Sequence, residues 1–124
     1  MSQTFTAYDP AALPAVVTEY MDAHDAARQD PSRHAGAAAC FTADAVVMDD
    51  GNTYAGREDI SRWIRDSSSE FEYTSTRVGQ QIQGGQVDVK VRLVGNFPGG
   101  TVTLRYSFTV ADGGIRALVI AAQS

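Results

Sequence analysis

The fold of this chain is decided by residues 41–64, whose sequence is FTADAVVMDDGNTYAGREDISRWI. Residues 45–48 are apolar and predict a strand that delivers Asp49 to its end. Gly51 and Asn52 then predict a tight turn. A carboxylate beside such a turn can be held in a partly dry site, where it becomes a useful base. The stretch therefore predicts a strand, a turn and a candidate catalytic carboxylate.

After the turn, Tyr54 begins a short segment in which the chain runs back, and a helix is expected over residues 57–67. The helix carries apolar residues at helical spacing, among them Trp63. We expect Tyr54 and Trp63 to form the wall of a pocket near Asp49. An aromatic wall favours a flat apolar ligand, but core packing alone also explains both residues.

The residues before this stretch predict two helices, over residues 10–27 and 33–40. Asp9 and Pro10 form a typical helix start, with a capping carboxylate before proline. An apolar stripe with the spacing of an amphipathic helix follows. Its members are Leu13, Val16, Val17, Tyr20, Met21 and His24.

The residues after the stretch predict an antiparallel meander. Eight of the eleven glycines lie beyond residue 69, in clusters that separate strand-like segments. With the strand near 45–50, strands are expected near 70–82, 86–95, 101–110 and 115–122. Alternation places Tyr106 and Phe108 on the apolar face and directs polar residues outward. The outward set is Asp88, Lys90, Arg92, Thr103, Arg105 and Ser107. Helices followed by a meander predict one α+β domain over residues 1–124, with a curved antiparallel sheet wrapped around the first helix.

Composition excludes several classes of function. The net charge of −5 disfavours binding to nucleic acid, and no segment approaches the roughly 20 apolar residues of a membrane span. Residues 1–9 lack the order of a secretory signal. The single cysteine, Cys40, fits a reducing cytoplasm, where we expect the protein to reside. No cluster of Cys and His has the spacing of metal ligands, and we expect neither metal nor cofactor.

The order of elements resembles the nuclear transport factor 2-like superfamily, which includes the SnoaL-like polyketide cyclases and the ketosteroid isomerases. The resemblance covers nearly the whole chain. Its best local pieces are residues 15–20 (AVVTEY), residues 41–49 (FTADAVVMD), the run YAGREDI from Tyr54 to Ile60, and Trp63. It implies a cone, in which a curved antiparallel sheet is closed by the long first helix around an apolar pocket (a cystatin-like α+β barrel). Members often form homodimers through the outer face of the sheet.

The resemblance also implies a catalytic set. Matched to the ketosteroid isomerases, Tyr20 falls at their hydrogen-bonding tyrosine and Asp49 at their base. Tyr106 stands where those enzymes carry a protonated aspartic acid as second donor to the substrate oxygen. A phenol can still donate a hydrogen bond, so enolate stabilisation is compatible with Tyr106. The alternative interpretation of both tyrosines is that they belong to the core.

Four further residues are candidates for contact with the substrate: Trp63, Tyr54, His24 and Phe108. His24 lies on the apolar stripe one turn after Tyr20. A histidine on such a face is commonly a satisfied core residue, but His24 could also carry a proton or orient Tyr20.

The leading functional hypothesis is a small cofactor-independent enzyme of SnoaL-like type. It would act on an apolar carbonyl compound by proton abstraction and enolate stabilisation, as an isomerase, a cyclase or a dehydratase. One alternative is a binding module for an apolar ligand or a protein partner, without chemistry. Another is an epoxide hydrolase of the limonene type, which uses an Asp-Arg-Asp set in the pocket. Because Asp88 and Arg92 are expected to face outward, this alternative ranks last.

Overall fold

Three α-helices and six strands form the part of the chain that the computed structural model describes, residues 5–69, 73–95 and 99–122. The helices are α1 (Ala15–Ala27), α2 (His34–Ala38) and α3 (Gly56–Ser69). The strands are β1 (Phe41–Asp49), β2 (Asn52–Ala55), β3 (Tyr73–Gln83), β4 (Gln86–Gly95), β5 (Thr101–Ala111) and β6 (Gly114–Ala122). The predicted α+β class is confirmed. Residues 70–72, where β3 was expected to begin, lie outside the described residues.

All six strands join one curved sheet in the order β2-β1-β6-β5-β4-β3. Four of its ladders are antiparallel, as predicted, but β1 and β6 pair in parallel. The expectation of a wholly antiparallel sheet is therefore wrong at this ladder. Short turns fix the relative direction of the strands they connect. No short turn connects β1 to β6, so the sequence pattern could not fix their direction.

Helix α1 covers the concave face of the sheet, and the core lies between them. Val17 and Tyr20 of α1 are almost completely buried there. The strand register also places Asp49 and Tyr106 on this face, because Asp49 is opposite Ile120, which is opposite Tyr106. Closure of the sheet by the first helix is thus confirmed, and the concave face carries both predicted residues.

The first helix begins later than predicted. Asp9 does act as a cap, since its Oδ1 accepts a hydrogen bond from the Ala11 backbone N–H at 3.1 Å. It caps only a 3₁₀ turn, Pro10–Ala12, and α1 starts at Ala15. Pro14 explains the break, because proline restricts the preceding residue to extended backbone, which Leu13 adopts.

The outer face is less exposed to solvent than the alternation predicted. Asp88 is only 6% exposed and forms an ion pair with Arg105. Phe5 lies against this region, with its ring 4.1 Å from Lys90 Nζ and 5.1 Å from the Arg105 guanidinium carbon. Strand alternation correctly gave the direction of these side chains. It could not reveal that Phe5, about 80 residues earlier in the chain, packs over them.

Among the described residues, no helix combines the length and apolar character needed to cross a membrane.

Candidate functional site

A small cavity lies between α1 and the concave face of strands β3, β4 and β5. Its volume is about 20 Å³, which is room for about one water molecule. Met21, Val91 and Leu93 form its apolar wall. A larger ligand would therefore need the surrounding side chains to move.

Two phenols point to a role for this cavity. Tyr20 and Tyr106 both line it, and Tyr20 is only 1% exposed. Within the described part of the chain, neither hydroxyl makes a hydrogen bond. Burial raises the pKa of both phenols, and the nearby Tyr73 and the charge of Asp49 add to the effect at each; Tyr106 also raises the pKa of Tyr20. At neutral pH both are protonated donors, and an oxygen acceptor in the cavity would satisfy them.

A third phenol, Tyr73, also lines the cavity, and the sequence analysis did not identify it. The Arg28 guanidinium lies 3.6 Å from the centre of its ring and donates a hydrogen bond to its backbone carbonyl. Burial raises the pKa of Tyr73 too. Alternation along β3 was the available signal, since it places Tyr73, Ser75 and Arg77 on one face.

His24 lines the cavity beside Tyr20 and is 9% exposed. Its ring centre lies 5.9 Å from that of Tyr20 and 6.2 Å from that of Trp63. Burial lowers the pKa of His24 to about 4, although the nearby Asp25 carboxylate opposes this effect. The imidazole is therefore neutral at pH 7.

Asp49 occupies the concave face but is not among the described residues that line the cavity. It is partly buried, and its Oδ2 accepts a hydrogen bond from Trp63 Nε1 at 3.0 Å. Its charge helps to raise the pKa of all three phenols, so it acts on the same interior. Contacts therefore run from the Asp49 carboxylate through Trp63 and His24 to Tyr20.

The other two predicted contact residues also lie outside the cavity wall. Tyr54 packs against Trp63, with ring centres 6.1 Å apart. Phe108 is fully buried and packs against Tyr20 at 5.9 Å and Tyr106 at 6.2 Å. Of the seven predicted site residues, three line the cavity: Tyr20, His24 and Tyr106. Of the other four, Phe108 and Trp63 pack against these three, whereas Asp49 and Tyr54 contact Trp63.

The mouth of the cavity carries an ion-pair cluster that the sequence analysis missed. Arg77 donates to Asp22 Oδ1 at 2.8 Å, to Asp25 Oδ2 at 3.0 Å and to the Tyr8 hydroxyl at 3.0 Å. Ser75 Oγ lies 3.4 Å from Asp25 Oδ1, and Asp25, Ser75 and Arg77 all line the cavity. Asp22 and Asp25 fell outside the apolar stripe of α1, and no sequence pattern linked them to a strand about 50 residues later.

No group of three or more His, Cys, Asp or Glu side chains with the arrangement of a metal site occurs among the described residues.

Comparison with protein-family models and with curated proteins finds no match for this sequence. Among solved structures, a candidate polyketide cyclase from Sinorhizobium meliloti is 32% identical in sequence, with a TM-score of 0.81. The match covers 92% of this chain and 100% of that protein. The chain belongs to the nuclear transport factor 2-like superfamily. The family predicted from the sequence is thereby confirmed.

More distant structures support the fold of this superfamily member. A Catenulispora acidiphila protein with a ketosteroid isomerase-like fold, solved in complex with trimethylamine, is 21% identical with a TM-score of 0.70. That match covers 89% of this chain and 86% of the other. A candidate ketosteroid isomerase from Kribbella flavida is 18% identical with a TM-score of 0.69, over 90% of this chain and 77% of the other.

Proposed function

We propose that this protein is a cofactor-independent enzyme that removes a proton from the carbon beside the carbonyl group of a small apolar compound and stabilises the resulting enolate. The observation that carries the proposal is the pair of phenols, Tyr20 and Tyr106, which line one cavity without a hydrogen-bond partner in the described chain. The similarity to a candidate polyketide cyclase agrees with carbonyl chemistry.

In this mechanism the phenols stabilise charge that develops on the ligand. Tyr20 and Tyr106 are held in place by Phe108, which packs against both rings. Donors fixed before the reaction do not have to reorganise as the enolate oxygen becomes negative. Because both phenols stay protonated at neutral pH, they are suited to donate to this oxygen.

Asp49 is the base in this mechanism. It lies on the same face as Tyr106, two strands away, or roughly 10 Å between Cα atoms at the usual strand spacing. The Trp63 N–H holds Oδ2 and leaves Oδ1 to accept a proton. A ligand that reaches both groups extends beyond the present cavity, toward Asp49.

Entry of such a ligand requires the mouth between α1 and β3 to widen. Arg28 and Arg77 bridge these elements, and their side chains are 14% and 16% exposed. Both are long side chains at the edge of the core, so rotation about their own bonds can widen the mouth without changing the sheet.

Isomerisation, cyclisation and dehydration all proceed through an enolate intermediate, and the proposal includes all three. The epoxide hydrolase alternative loses support, because Asp88 pairs with Arg105 on the outer face and Arg92 is exposed. Arg77 does bring two aspartates together, but the Asp22 side chain is 70% exposed and does not line the cavity.

Binding of phenol, which imitates an enolate, tests the proposal. We expect Tyr20→Phe and Tyr106→Phe each to weaken binding by about 1–3 kcal/mol, or roughly 5- to 150-fold in Kd, because each removes a donor to the ligand oxygen. Fluorescence of Trp63, the only tryptophan, reports binding.

The matched control is Tyr8→Phe, which removes a hydroxyl that does not line the cavity. Its Kd should stay close to that of the wild type. Equal affinities in all four proteins would show that the two phenols are core residues, and would favour a binding module without chemistry.

We also propose that the protein is a cytoplasmic homodimer that associates through the outer sheet face. Met48 and Val119 are neighbours on that face and are 46% and 42% exposed. Exposed apolar neighbours of this kind are typical of interfaces. Val119→Asp should therefore give a monomer by light scattering at tens of micromolar.

In the same measurement, Ile82→Asp at the far edge strand should leave the dimer intact, although Ile82 is 41% exposed. A wild-type protein that is monomeric at this concentration would contradict the proposed assembly.

A further inference from the structure

The cavity has an acceptor group as well as its two phenol donors. Asp25 is a carboxylate that lines the cavity, whereas Asp49 does not line it. Its Oδ2 accepts a hydrogen bond from Arg77 Nη2 at 3.0 Å. Among the described residues, the partners of its Oδ1 are more distant: the Ser75 hydroxyl at 3.4 Å and Arg28 Nη1 at 3.7 Å. Oδ1 therefore retains the capacity to accept a strong hydrogen bond from a ligand.

The charges around Asp25 favour a neutral ligand donor over a cation. Arg77 and Arg28 both lie within ion-pair distance of the carboxylate and offset its charge. Asp22 shares Arg77 but is turned toward solvent. An ammonium group at Oδ1 would meet these two guanidinium groups, whereas a hydroxyl group would not be repelled.

The donor and acceptor ends are separated by an apolar wall. Tyr20 and Asp25 are five residues apart on α1, about 7.5 Å along the helix axis. On the sheet, Val91 lies opposite Arg77, and Leu93 lies opposite Ser75. A ligand that reaches both ends therefore carries two oxygens on an apolar frame.

We infer that Asp25, held in position by Arg77 and Ser75, accepts a hydrogen bond from a hydroxyl group of the substrate, so that the substrate is a hydroxylated carbonyl compound. Its carbonyl oxygen lies between Tyr20 and Tyr106, and its hydroxyl lies at the mouth. The inference rests on the proposed function, because it takes the phenol end as the site of the carbonyl. Tyr20, which is 1% exposed, lines the same cavity, and its hydroxyl makes no hydrogen bond within the described chain, which agrees with a ligand here.

Four probes test the inference: phenol, resorcinol, hydroquinone and 4-methoxyphenol. The two dihydroxybenzenes place a second hydroxyl at two distances from the first, while the methoxy group can only accept. In the wild type, the better dihydroxybenzene should bind about 3- to 10-fold more tightly than 4-methoxyphenol. This range lies below that of a fully buried hydrogen bond to a charged group, because the Asp25 side chain is 39% exposed and water competes.

Asp25→Asn should abolish or invert that preference. The amide oxygen would turn toward Arg77 and the NH₂ group toward the ligand, so a donor would replace the acceptor. Asp22→Asn is the matched control, because Asp22 also pairs with Arg77 but does not line the cavity. It should keep the wild-type preference. Ratios of Kd within one protein cancel any general loss of affinity in a variant.

The wild-type ratios decide the matter even if Asp25→Asn does not fold. Wild-type protein that binds phenol but binds neither dihydroxybenzene more tightly than 4-methoxyphenol would overturn this inference and leave the proposed function intact. An equal preference in wild type and Asp25→Asn would also overturn it. No binding of phenol, or phenol binding that neither the Tyr20 nor the Tyr106 variant weakens, would remove the proposed function and this inference together.

Discussion

Replacing Asp49 with asparagine is expected to slow proton abstraction from a bound carbonyl compound by about 10²–10⁴-fold, the usual contribution of a general base. The amide oxygen can still accept the hydrogen bond from Trp63 Nε1, so the side chain keeps its place. Only its ability to take a proton is lost. The effect can be measured without knowing the final product, by NMR detection of deuterium uptake from D₂O into a panel of small hydroxyketones.

The matched control for this variant is Asp50→Asn. Asp50 lies in the neighbouring turn, is exposed and adopts a positive φ of 54°, a conformation that asparagine tolerates well. The same chemical change one residue away should leave the exchange rate close to that of the wild type. If Asp49→Asn retains exchange within tenfold of the wild type, Asp49 is not the base.

Acidification is expected to destabilise the wild type more than a His24→Gln variant. Burial lowers the pKa of His24 from 6.5 to about 4, so the unfolded chain binds a proton more readily than the folded one between these values. The resulting stability is fully present above pH 6.5 and is lost as the pH falls toward 4. Between pH 7 and about pH 4.5, the wild type should lose about 2 kcal/mol more unfolding free energy than the variant.

Urea unfolding at several pH values measures this difference, with His34→Gln as the control. The titratable groups that act on His24 are Asp25 on its own helix, Arg28 at the C-cap of that helix and His34 from α2. The carboxylates titrate in every variant, so their effect largely cancels in the comparison. Parallel pH profiles for the wild type and His24→Gln would show that His24 is not held neutral by the fold.

The sequence predicted those parts of the structure that depend on local pattern. The strand, turn and helix of residues 41–64 are present, and the short return at Tyr54 is strand β2. Alternation correctly placed Tyr106 and Phe108 on the inner face, and helical spacing placed Tyr20 and His24 against it. Each of these conclusions depends only on how often side chains return to the same face of a helix or a strand.

The features that depend on distant packing could not be predicted in this way. The parallel pairing of β1 with β6 joins segments about 70 residues apart, with no short turn to set their direction. Asp25 meets Arg77 across 52 positions, and neither residue belongs to a local motif. Trp63 and His24 lie between Asp49 and the cavity in the chain of contacts. The volumes of these two side chains therefore decide whether Asp49 reaches the cavity.

A crystal structure of the protein with bound phenol would show whether Tyr20 and Tyr106 donate hydrogen bonds to one oxygen of the ligand. We expect a phenol oxygen about 2.5–3.0 Å from both tyrosine hydroxyl oxygens, with the ring against Met21, Val91 and Leu93. Phenol bound elsewhere, or with its oxygen toward the mouth while the two tyrosines bond to other protein groups, would show that Tyr20 and Tyr106 do not hold the ligand oxygen.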